Sequence, residues 1–331
     1  MVMKNIQAII RGCIYGITLP GMVSFSAHAI DFTPDPSRVL SDPLYMPSRH
    51  ELYGTTFYQY GKMNGDVNNV NGTPNKSYST SANTFGQTLE YGLTNRFALT
   101  FTDSYISRTT DNDPASGATF STSANGFTDP GFGFMWRVLD QKTKPFNLDI
   151  LAVYSPDWVD ARTASVTTDG SVANGGSQAS GTVAIGYKTR DFTIRGAATA
   201  VYVGSRNTLN ITNNQTSNTS SVRDYQLAVS TQTRLNEKFS FNAGIGENFN
   251  NSYDSTNQTT LLTNTNRPGD VTNLNAALNY TVVPNRLVFG LTYQYNIYAD
   301  SITQFPNPAN NISTTNEDEN IFGVRLQYVF F

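Results

Sequence analysis

The chain has 331 residues, room for one large domain or a closed barrel, yet only 14% are charged and 38% hydrophobic. A net charge of -3 excludes a broadly basic nucleic-acid surface, and a single cysteine excludes an internal disulfide or a cysteine-based metal centre. Asn, Thr, Ser and Gly replace the missing charge, while 20 Phe and 18 Tyr argue against disorder.

The first element in chain order is a targeting segment. Lys4 and Arg11 flank the start of a mostly apolar run from Gly12 to Phe25, and Ala27-His28-Ala29 offers a small-x-small site, so residues 1–29 read as a signal peptide cut after Ala29. Thr18, Pro20 and Ser24 interrupt that run and make it a poor membrane anchor. Cleavage removes Cys13 and His28 and leaves His50 as the one histidine. Residues 30–50 carry Pro34, Pro36, Pro43 and Pro47, too many prolines for a strand. This proline-rich periplasmic segment either folds into the mouth of the next domain as a small plug or lies loose below it.

Residues 51–331 alternate apolar and polar side chains in segments of about ten, the length of a tilted membrane strand. In the last segment Phe322, Val324, Leu326, Tyr328 and Phe330 share one face while Gly323, Arg325 and Gln327 share the other. A helical period would set Arg325 among the apolar residues. Twelve such segments fall near 51–61, 83–92, 96–107, 129–138, 145–155, 180–189, 192–203, 222–235, 238–250, 270–282, 286–298 and 320–330. Ten or fourteen strands are the near alternatives. The links between segments alternate strictly in length. Short ones such as Thr94-Asn95-Arg96 and Val283-Pro284-Asn285 are followed by links of about twenty Asn- and Thr-rich residues, at 62–82, 108–128, 156–179, 204–221, 251–269 and 299–319. Long and short links must emerge at opposite ends of the sheet. The expected fold is therefore all-β: a transmembrane antiparallel β-barrel in the outer membrane of a Gram-negative cell, with long outer loops, short periplasmic turns and both termini on the periplasmic side.

Parity directs Glu90, Arg137, Asp149, Arg195, Asp224, Arg234 and Arg325 inward, because an Arg facing lipid at mid-membrane costs about 2–4 kcal/mol. These seven are the candidate lumen-lining residues. They form either a salt-bridged plug of side chains or a polar passage that orients a solute. Strand glycines, among them Gly54, Gly86, Gly92 and Gly186, read as sites of curvature or close packing, and Tyr58, Tyr105, Trp136, Tyr298 and Tyr328 as members of interfacial girdles. Catalysis finds little support. His50 stands beside Arg49 and Glu51 near the periplasmic rim, and there is no zinc cluster, phosphate-binding glycine loop or G-x-S-x-G elbow. Asp111 with Asp113, and Glu317 to Glu319, lack EF-hand spacing and read as solvated loop charge. No cofactor and no metal is expected.

The segment from Leu89 to Leu99, LEYGLTNRFAL, and that from Asp129 to Leu139, DPGFGFMWRVL, resemble the outer-membrane proteins of the meta-cleavage pathway of phenol degradation. The resemblance covers residues 85–155. It implies an outer-membrane barrel that transports aromatic or other apolar compounds, and it brings no catalytic residue. The terminal Gln327-Tyr328-Val329-Phe330-Phe331 resembles the aromatic signal that such barrels present to the barrel assembly machinery, although Phe331 falls on the inward parity. The expected partners are that machinery, outer-membrane lipid and lipopolysaccharide, and a small solute. The expected function is a porin-like channel or transporter, with a closed-lumen structural or surface-interaction barrel as the alternative.

Overall fold

The computed structural model describes residues 39–69, 72–173, 175–211 and 213–331, so the signal segment and the start of the proline-rich stretch lie outside it. Twelve long strands form the barrel wall. They are β1 (Leu52–Asn69), β2 (Pro74–Thr94), β3 (Phe97–Pro114), β4 (Gly131–Leu139), β5 (Asn147–Ser155) and β6 (Gln178–Lys188). The second half comprises β7 (Phe192–Val203), β8 (Val222–Arg234), β9 (Phe239–Phe249), β10 (Val271–Val283), β11 (Leu287–Tyr298) and β12 (Ile312–Val329). Each pairs antiparallel with its neighbour, and β12 closes onto β1 from Tyr53↔Val329 to Asn69↔Ile312. The register offsets carry a residue about 14 positions along β1 in one circuit, a stagger that for twelve strands means a tilt of roughly 40°.

Burial is inverted relative to a water-soluble sandwich. Outward Phe85, Tyr154 and Ile245 are more than half exposed, whereas inward Asn279 and Asp149 are 1% and 3% exposed. This arrangement suits hydrocarbon outside and a polar interior, and closure leaves no unpaired edge to face lipid. At the seam the outward Tyr328 ring lies so close over Gly54 that a Cβ there would stand 2.4 Å from the ring. Its hydroxyl meets Thr56 Oγ1 at 3.0 Å and accepts from Gln87 Nε2 at 3.0 Å, so one side chain of β12 ties β1 and β2.

The long links differ from the loops expected of them. β1, β2 and β3 simply continue through 62–69, 74–82 and 108–114, and Phe120–Phe127 extends the wall on β3 before the break at Asp129-Pro130. The 21 residues of β2 rise about 50 Å at this tilt, twice the apolar band of about 25 Å. Hairpins Arg206–Asn210 with Gln215–Thr219 and Tyr253–Asn257 with Thr263–Arg267 pair with each other, and Ser301–Gln304 joins them to β12. The outer end is a β-collar. Thr and Asn form ladders there without an apolar face, because water lies on the outer side.

Candidate functional site

Residues 39–50 turn into the short-turn end of the barrel and plug it, while residues 30–38 of the same proline-rich segment lie outside the described residues. Leu40, Ser41, Asp42, Leu44, Met46 and Pro47 are buried. Proline suits a segment that makes no ladder: its backbone groups are met by inward side chains of the wall. Gln327 Nε2 donates to Leu40 O at 3.1 Å, Asn242 Nδ2 to Ser41 O at 3.1 Å, and Arg137 Nη2 to Leu44 O at 2.7 Å. The Asp42 carboxylate meets Lys188 Nζ at 2.7 Å and accepts from Thr193 Oγ1 at 3.1 Å and Leu44 N at 2.8 Å. Apolar contacts complete the seat, Leu40 against Tyr53 and Val288, and Met46 against Ala98 and Met135. Two wall glycines make room. A Cβ on Gly92 would stand 1.9 Å from Ser48 O, and one on Gly186 would stand 2.4 Å from the Leu44 side chain. Where the plug joins β1, His50 takes a left-handed φ of 64° and its N–H donates to Gly92 O at 2.7 Å.

Above the plug lies a lumen cavity of about 500 Å³. Its floor is Leu40, Asp42 and Tyr45; its walls include Glu90, Met135, Leu151, Arg195, Asn275 and Arg325. A second cavity, of about 360 Å³, opens among the periplasmic turns near Lys188, Asp191 and Lys238, and Leu40 borders both. The plug therefore stands between the lumen and the mouth at the short-turn end.

The seven inward charges separate by height. Glu90, Asp149, Arg195 and Arg325 line the lumen cavity. Arg137 belongs to the plug seat and not to a passage: Nε and Nη2 hold the Asp149 carboxylate at 2.8 and 2.9 Å while Nη2 also reaches the plug backbone. Arg234 is exposed beside the periplasmic cavity, and Asp224 lies at the opposite end, where it accepts from Asn251 N at 2.8 Å. Parity fixes the face of a strand but not the level along it, which removes these three from the lumen set. Arg325 finds an amide in place of a carboxylate, donating from Nη2 to Asn279 Oδ1 at 2.8 Å. Tyr298 also departs from its expected place in a girdle: it points inward and donates to Glu319 at 3.0 Å.

His50 Nδ1 lies 3.2 Å from Tyr91 Oη at the exposed rim. Among the described residues no group of three or more His, Cys, Asp or Glu could hold a metal ion. Phe330 and Phe331 continue the seam, with Leu52 N donating to Phe331 O at 3.2 Å.

No protein-family model matches the chain, and no curated protein matches it. Solved structures do. An outer-membrane channel from Pseudomonas putida F1 superposes with a TM-score of 0.58 at 11% identity, over 88% of this chain and 98% of that one. The fold is that of an outer-membrane barrel. The transport unit of the autotransporter AIDA-I from Escherichia coli superposes with a TM-score of 0.54 at 10% identity, over 87% and 95% of the two chains. At such identities the likeness is one of fold.

Proposed function

We propose that this barrel is an outer-membrane channel or transporter for small solutes, closed at its periplasmic end by its own N-terminal plug. The observation that carries this reading is the lumen cavity of about 500 Å³, held open above a plug that is pinned by side chains and not by a continuous ladder. A sheet built only as a scaffold gains nothing from a volume of that size, since an unfilled lumen forfeits packing. The resemblance of residues 85–155 to the phenol-degradation outer-membrane proteins favours aromatic or other apolar compounds as cargo, and the channel from P. putida F1 shares the fold.

Planar-bilayer recording tests the proposal. The processed chain should give small, infrequent conductance steps, and a variant lacking residues 39–48 should give large, reproducible ones. Silence from both, with no solute flux into liposomes, overturns it. The plug also favours the second reading, a closed barrel that works through its outer collar, and that same silence together with collar-dependent surface binding would establish it.

A further inference from the structure

The inward cations of the lumen end are of two kinds. Arg137 is held by Asp149, and Lys188 meets Asp42. Arg195 and Arg325 line the cavity, and among the described residues neither forms an ion pair. Arg195 makes no hydrogen bond with the described residues, and Arg325 keeps its single bond to Asn279 while its Nε is buried without an acceptor. A guanidinium taken out of water without a direct ion pair is costly, and its planar fork of donors matches a carboxylate. β7 and β12 stand on well-separated walls of the ring, with the Arg325 side chain lying over Gly290 toward Asn279, and both residues border the one cavity.

The remaining charge does not cancel them. Of the three carboxylates on the cavity surface, Asp42 is engaged by Lys188, and Asp149 is held by Arg137 while its charge also reaches Arg195; with Glu90, three carboxylates stand against the four cations Arg137, Lys188, Arg195 and Arg325. The rest of the lining is mixed, with Tyr45, Met135 and Leu151 beside amides such as Asn275. A volume of about 500 Å³ lies in the range of small-molecule sites.

We propose that this cavity binds a small organic carboxylate, its anionic end taken by Arg195 and Arg325 and its apolar body resting on Tyr45, Met135 and Leu151. The proposal refines the solute class and rests on the channel reading only for how the solute arrives.

Equilibrium dialysis of radiolabelled benzoate against the detergent-purified barrel tests it, with benzyl alcohol and benzylamine as the neutral and cationic controls of the same size. Benzoate should bind, benzyl alcohol should bind at least about tenfold more weakly, and benzylamine should not bind, because charge-assisted bonds to each fork are worth about a tenfold factor or more. Arg195→Gln breaks no bond of the fold and should weaken benzoate about tenfold while heat-modifiable gel migration is retained; adding Arg325→Gln should abolish binding. Benzoate no tighter than benzyl alcohol, or undiminished in R195Q, overturns the site. Liposome flux is read separately: benzoate bound but never transported sinks the channel reading and keeps the site, whereas flux of neutral solutes without benzoate binding does the reverse.

Discussion

Replacing Asp42 with Asn should unseat the plug. The Asp42 and Lys188 side chains are 2% and 11% exposed and lie 2.7 Å apart, so the pair is desolvated and screening by solvent is weak. Asn keeps the shape and one acceptor for Thr193 or Leu44 but leaves the Lys188 ammonium without the Asp42 carboxylate. Breaking one partner of a buried pair costs about 3–5 kcal/mol, and taking the lower figure, the seated-to-displaced ratio falls about a hundredfold. The wall is untouched, so the cost is paid in plug occupancy and not in barrel stability. The assay uses Leu40→Cys, a position within the plug that is 2% exposed while the plug is seated, and follows its reaction with a maleimide on the folded barrel. In the Asp42→Asn background the rate should rise about a hundredfold, and a Lys188→Gln partner change should recover much of it, since neutralising both members removes the imbalance of charge at the seat. A rate within twofold of the parent in D42N, with the fold intact, would refute the claim that this pair holds the plug.

Tyr328→Phe keeps the ring over Gly54 but loses the contacts to Thr56 and Gln87; at about 1 kcal/mol per bond, the temperature at which the compact gel band converts should fall by a few degrees. Epitope tags near Asn213 or Asn264, in the collar hairpins, should be reached by antibody on intact cells, whereas a tag at Asn285, in the turn between β10 and β11, should stay hidden. In the collar, burial and then the Glu317 carboxylate that accepts its proton hold the Tyr78 phenol above its ordinary value of 10.0. The neutral form is the one the fold favours, so its contribution is complete below pH 10.0 and is lost as the pH rises beyond it. Limited proteolysis of the 62–82 hairpin should therefore accelerate in strong alkali, and Tyr78→Phe should blunt that response.

The wall was legible because lipid enforces it. Wherever a strand crosses hydrocarbon, one face must be apolar, and Phe322, Val324 and Leu326 against Arg325 state that requirement without ambiguity. The collar was hidden for the same reason: Ser77, Thr80 and Thr110 pair as well as any membrane strand, but with water outside there is no contrast between faces, and polar runs read as loops. Parity treated Arg195, Arg325, Arg137 and Arg234 alike, whereas only the first two border the lumen cavity, because height along a tilted strand depends on the register of every preceding pair. The plug was least legible. Its backbone partners are Gln327, Asn242 and Arg137, dispersed over three strands, and no periodicity within residues 39–50 announces them.

The plug is continuous with β1 through Arg49 and His50, whose backbone N–H groups are bound by Asn95 and Gly92 at the rim. When Asp42 and Leu44 leave their seats, that rim joint keeps the loosened piece at the mouth, where the wall sees it at an effective concentration on the order of millimolar. Reseating is then intramolecular and independent of how many barrels the membrane holds. A free peptide copying residues 39–48 would have to approach that concentration before it could compete for the vacated seat, so each molecule carries a stopper that outsiders displace poorly and that returns without being recruited.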